Sequence, residues 1–136
     1  MSVTAWRTLR WLPAWRVLGG FGIVLTIVLS LVQLPDTGID IEQGDKYGHA
    51  LAYLALTLWY GQLCATRRAL AVRALAFIAL GGAIELAQGL TDYRSCDWRD
   101  FLADLLGVAL GFALARTRFG AMLAWFEARF VRQSVP

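Results

Sequence analysis

Four long apolar runs separated by short polar breaks dominate this sequence: Val17 to Leu34, Tyr47 to Ala65, Ala69 to Leu90 and Phe101 to Ala115. A helix rises about 1.5 Å per residue, so about 20 apolar residues cross the roughly 30 Å hydrocarbon core of a bilayer. The first three runs approach that length. The fourth spans only ~23 Å as a helix and has to draw on flanking residues. The expectation is an all-α polytopic membrane protein: a single transmembrane domain over residues 1–136 with a bundle of four spanning helices. A fifth, amphipathic helix is expected at residues 119–132, where Met122, Leu123, Trp125, Phe126 and Phe130 alternate with Glu127, Arg129 and Arg132. Such a pattern suits a helix lying in a membrane interface.

Composition agrees, since 58% of the residues are hydrophobic and only 17% charged, against about a quarter charged in a soluble domain. The tryptophans fall near the ends of apolar runs or in flanking segments, as an aromatic belt requires. Trp6, Trp11 and Trp15, interleaved with Arg7, Arg10 and Arg16, are expected to lie in the inner interface ahead of the first span. No small-x-small cleavage site precedes Pro35, so the first run is read as an uncleaved span rather than a signal peptide. The net charge of +3 raises nucleic-acid binding as a class, but the bases are not gathered on one patch, and their distribution fits membrane orientation instead. Cys64 and Cys96 have no metal or CxxC spacing, and the topology puts them at opposite ends of the bundle, too far apart to pair.

Charge placement orients the bundle. With both termini and the Arg67–Arg68 turn in the cytoplasm, ten of the thirteen bases lie inside, leaving Lys46, Arg94 and Arg99 outside. Asp36, Asp40, Glu42, Asp45, Asp92, Asp97 and Asp100 then occupy the outer loops. Short loops are where the positive-inside rule holds best. The expected location is the inner membrane, with both termini cytoplasmic.

Three of the runs share a pattern at helical spacing. Asp45, His49, Tyr53, Leu56 and Tyr60 line one face of the second; Gly81, Glu85, Gln88 and Asp92 one face of the third; Asp97, Asp100, Asp104, Gly107 and Gly111 one face of the fourth. Each stripe is ionisable toward the outer end. His49, Asp104 and Glu85 lie about 5 to 9 Å inside the ends of their runs, so they can meet in one outward-facing pocket. Ionisable groups at such depth cost free energy and normally face protein or water. The inner halves offer only Thr57, Gln62 and Thr117 as polar candidates, which argues against an ion path or proton relay. The plain alternative makes His49, Glu85 and Asp104 interhelical glue, satisfied by Arg94, Arg99, Gln88 and Tyr53. Gly107 and Gly111 form a GxxxG step, expected to serve close internal packing rather than dimerisation.

The ordered set Asp45-Lys46-Tyr47-Gly48-His49, Tyr53, Glu85 with Gln88, Arg94, Asp97, Asp100 and Gly107 resembles the signature of the VanZ-like family. The resemblance spans about Asp36 to Gly111, and many members carry Asn at the position of Asp104. It implies a bacterial multi-pass membrane protein of the cell envelope, in a family whose namesake is associated with low-level teicoplanin resistance. It brings no settled biochemical activity.

The leading functional expectation is a pocket that binds or handles an anionic lipid headgroup or a lipid-linked envelope precursor. Lys46, Arg94 and Arg99 would supply the phosphate contacts, with Asp45, His49, Tyr53, Glu85, Gln88, Asp97, Asp100 and Asp104 lining it. The acidic excess at that end opposes long-range attraction of anions. The alternative is an intramembrane hydrolase or transferase in which His49, Glu85 and Asp104 hold a metal or act as general acid and base. A lone histidine argues against tight zinc, so no resident metal or cofactor is expected. A third class is a structural partner subunit. Membrane lipids are the expected partners.

Overall fold

A computed structural model describes residues 5–32, 44–91 and 97–131. Every regular element among them is helical: α1 (Leu12–Leu31), α2 (Gly44–Leu63), α3 (Arg67–Gln88), α4 (Trp98–Ala115), a short 3₁₀ turn (Arg118–Ala121) and α5 (Met122–Val131). Helix α2 is the hub, packing on α1, α3 and α4, and α4 rests mainly on α2. Tyr53 and Leu56 of α2, Ala74 and Phe77 of α3 and Val108 of α4 form the main core cluster.

Glycines set the close approach of α2 and α4. A side chain on Gly107 would run into the Ala50 carbonyl, and one on Gly111 would sit 2.6 Å from the Leu54 carbonyl oxygen. The GxxxG step therefore works inside the bundle.

Two helices, α1 and α3, are long and apolar enough to cross a membrane, or three if α4 and the segment Arg118–Phe130, bent by 70°, form one broken span. The four expected spans are not all recovered. Lys46, His49 and Gln62 dilute the apolar run of α2, while Arg99, Asp100 and Asp104 load α4 with charge. These are the two elements that carry most of the ionisable stripe. Outer surfaces are strongly apolar: Val17, Phe21 and Val24 on α1, Leu75 and Leu86 on α3, and Leu106 and Leu110 on α4 all face outward.

Several boundaries differ from the expected ones for local reasons. Helix α1 begins at Leu12, with Pro13 in its first turn, where a missing N–H costs nothing. Arg16 and Trp15 thus belong to the helix. The preceding segment docks on protein: Arg7 N donates to Leu63 O (2.7 Å) and Ala65 N to Ala5 O (3.0 Å). That pairing draws Cys64 and Ala65 out of α2. The Trp6 ring is flanked by the guanidinium groups of Arg73 at 4.0 Å and Arg16 at 4.6 Å. Thr66 caps α3 by accepting from Ala69 N at 3.1 Å, which turns Arg67 and Arg68 into its first turn. Asp97 caps α4 through Arg99 N at 2.9 Å, so the helix starts three residues before the expected Phe101 and measures ~27 Å.

Glu127 is the clearest correction. Expected on the polar face of a surface helix, it is only 7% exposed. Its carboxylate accepts from Arg10 N (2.7 Å), Trp11 N (2.9 Å) and Trp15 Nε1 (2.8 Å). Three donors at the start of α1 are thereby satisfied by one anion, a favourable charge at a helix N-terminus. Gln62 Oε1 does the same for α5, accepting from Leu123 N at 3.0 Å. Cys64 is buried with a free thiol; Cys96 lies outside the described residues.

Candidate functional site

At the end of the bundle opposite the Arg67–Arg68 turn, the three stripes face one another. From α2, His49 (6% exposed) extends Nδ1 to Oδ1 of Asp104 on α4, at 2.9 Å. The glycine contacts bring this about: Gly107 against Ala50 fixes the register of α4 on α2 one turn from the pair. Glu85 of α3 completes a group of three, all buried, each offering a ligand atom within 4.8 Å of the others. Gly81, one turn before Glu85, leaves the space that the Asp104 carboxylate fills.

Not every polar atom in this centre is satisfied. Glu85 Oε2 accepts from Asp97 N at 3.1 Å. Glu85 Oε1, Asp104 Oδ2 and the Tyr53 hydroxyl are buried and lack a hydrogen-bond partner among the described residues. Thr57 Oγ1, one turn further along α2, is in the same position. A buried acceptor left unpaired costs about 1–3 kcal/mol, so the arrangement asks for a proton, an ion or a polar group from outside the described chain.

A second layer covers the first. Lys46 Nζ lies 3.3 Å from Asp100 Oδ1 and 3.5 Å from Asp97 Oδ2. The backbone N–H of Arg99, only partly opposed by burial and supported by Lys46, holds the Asp97 carboxyl below the usual aspartate range. Arg99 is exposed and stands 5.8 Å from the Trp98 ring on the surface. Gln88 is buried, but its amide donates to Ser30 O of α1 at 2.8 Å and so ties α3 to α1. Arg94 and Asp92, and the side chain of Asp45, lie outside the described residues.

The structure thus brings together His49, Tyr53, Glu85, Asp97, Asp100, Asp104 and Lys46, and sends Gln88 and Arg99 elsewhere. Among the described residues, four carboxylates face one lysine, and that lysine is committed to two of them. Direct capture of an anion by free bases is not what this geometry offers. The Asp104–His49 contact instead orients an imidazole, the arrangement used to tune a general base.

Sequence reasoning missed Gly81 as the space-maker for Asp104. Its place one turn before Glu85 on the same stripe was the available signal. It also missed the Glu127 clasp, which no local spacing announces. Comparison of the chain with family models, with curated proteins and with solved structures gives no match in any of the three.

Proposed function

We propose that this chain is an envelope membrane protein that handles the headgroup of an anionic amphiphile at the His49–Glu85–Asp104 centre. In this reading all four long helices span the membrane. Helix α2, shielded by α1, α3 and α4, tolerates polar residues that a lipid-facing helix would not. The short α4 leans on its flanks, and α5 lies along the inner surface with Trp125 and Phe130 toward lipid. Both termini and Arg67 are cytoplasmic by the distribution of bases, so the centre faces outward. The resemblance to the VanZ-like family supports an envelope context and, with it, a link to glycopeptide susceptibility.

One observation carries the proposal: buried carboxylate oxygens of Glu85 and Asp104, with the Tyr53 hydroxyl, stand unpaired among the described residues at the end of a bundle whose outside is apolar, and the hydroxyls of a headgroup such as that of phosphatidylglycerol are the donors they lack. A purely structural contact would have supplied donors to these oxygens, because buried polar groups in native structures are normally hydrogen-bonded.

A second reading, a hydrolase or transferase, is favoured by the His49–Asp104 bond specifically. With Nδ1–H donating to Asp104 Oδ1, the carboxylate fixes the tautomer and orientation of the imidazole, as it does for a general base.

The test is lipid retention. Protein purified in detergent and offered equal amounts of phosphatidylglycerol and phosphatidylcholine should retain the anionic lipid preferentially in native mass spectra. Glu85→Gln and Asp104→Asn should lose that preference while keeping the wild-type melting temperature, and Leu58→Ala should keep both. Equal retention of the two lipids by the wild type, or an unchanged preference in both site variants, would refute the proposal.

A further inference from the structure

We propose that His49, Glu85 and Asp104 hold one divalent cation, and that this cation is what receives the headgroup; the inference rests on the reading of this centre as the working site. Three observations converge. The three groups come from three different helices, are all buried, and place their ligand atoms within 4.8 Å of one another. Donors about 2.1 Å from a shared ion sit roughly 3 Å apart at neighbouring positions. The 2.9 Å separation of His49 Nδ1 and Asp104 Oδ1 already has that value, so an ion would replace the proton shared between them, which is released as the ion binds, with Glu85 closing by a side-chain adjustment.

The unpaired oxygens point the same way. Glu85 is 3% and Asp104 0% exposed, and each keeps one carboxylate oxygen without a partner among the described residues. The Asp97 N–H holds Glu85 Oε2, which leaves Oε1 as the ligating atom. Outer-shell bonds of this kind orient a ligand. Gly81 gives Asp104 Oδ2 its place, since a side chain there would meet that oxygen at 2.5 Å.

Charge explains the use. Two buried carboxylates repel an anionic headgroup, and Lys46, the nearest described base, is already paired with Asp97 and Asp100. A divalent ion neutralises both carboxylates and presents open coordination positions to phosphate oxygens, inverting the local electrostatics. A donor set dominated by carboxylate oxygens with a single imidazole nitrogen suits a hard ion such as Mn²⁺.

His49 is the only histidine in the chain, which makes the site identifiable by spectroscopy. The experiment uses chelator-stripped protein with a histidine-free affinity tag, titrated with Mn²⁺ alone and followed by electron paramagnetic resonance. The expected result is one Mn²⁺ per chain with the pulsed-resonance signature of a bound imidazole nitrogen. His49→Gln should erase that nitrogen signature, and Glu85→Gln and Asp104→Asn should each weaken binding at least about tenfold. Glu85→Gln keeps an acceptor for the Asp97 N–H, so it and the wild-type spectrum decide the matter even if Asp104→Asn fails to fold. Absence of stoichiometric binding at about 1 mM Mn²⁺, or binding without nitrogen coupling, overturns the inference. A wild type that binds no Mn²⁺ yet prefers phosphatidylglycerol removes the metal and leaves the headgroup proposal intact. Mn²⁺ held at these residues without lipid preference upholds the metal site and removes the headgroup.

Discussion

Replacing Glu127 by Gln should unlatch the start of α1, and the structure sets the size of the effect. The carboxylate receives Trp11 N and Trp15 Nε1 on Oε1 and Arg10 N on Oε2. A glutamine can keep the first two on its carbonyl oxygen, but its amide nitrogen then confronts the Arg10 N–H, donor against donor. One buried donor left unpaired costs about 1–3 kcal/mol. Glu127→Ala removes all three acceptor contacts and, at about 1–3 kcal/mol for each buried donor left unpaired, should cost more than Glu127→Gln. Burial pushes the Glu127 carboxyl up, but the bonds from Trp11, Trp15 and Arg10 outweigh it and hold the group below the usual glutamate range. A depressed folded-state value means the stabilisation is complete above the unfolded glutamate value of about 4.3 and is lost as pH falls through the folded one. Equilibrium unfolding in detergent, read by tryptophan fluorescence at pH 7 and again below pH ~4.3, measures both effects. The variants should lie below wild type at pH 7, and the gap should narrow once the pH falls below the folded-state value. A Glu127→Gln change within about 0.5 kcal/mol, the range of an ordinary surface substitution, would refute the clasp.

Gly111→Ala should destabilise the bundle by about 1–3 kcal/mol through overpacking, because the new methyl meets Leu54 O at 2.6 Å and Thr57 Cβ at 2.8 Å; thermal melting in detergent reads it. Gly48→Ala, whose added methyl meets nothing within 4 Å, is the control and should melt at or slightly above wild type, because Ala is the better helix former. For topology, reporter fusions after Arg68 and at both termini should report cytoplasm and one at Asp40 the outside; outer-face labelling of a cysteine at Arg68 would overturn the orientation.

The stripes were legible because helical spacing converts sequence distance into direction. Steps of four and three along α2 put His49, Tyr53 and Leu56 on one face, and all three are buried there. The partner of that face follows less directly. The GxxxG of α4 announced a close contact, yet its register, Gly107 on Ala50, depends on backbone fit that no single-helix pattern encodes. The fate of the bases was hidden for a related reason: whether Lys46 is available to a ligand depends on Asp97 and Asp100, about fifty residues away in sequence and 3.5 and 3.3 Å away in space. Glu127 was misread because an acid next to Phe126 and Arg129 fits an amphipathic surface helix equally well. Only the return of the chain to Arg10 and Trp15 reveals its partners. Span counting failed where function and hydropathy compete, since the polar residues that build the centre are the ones that lower the apolarity of α2 and α4.

The most direct measurement is an experimental density map of the protein in nanodiscs containing phosphatidylglycerol, centred on the space bounded by His49, Glu85, Asp104 and Tyr53. The account predicts non-protein density within about 2–3 Å of Glu85 Oε1 and Asp104 Oδ2, continuous with a headgroup. Both oxygens closed on donors of the chain itself, such as Arg94, with no other density beside them, would contradict it and make the centre a structural contact between helices.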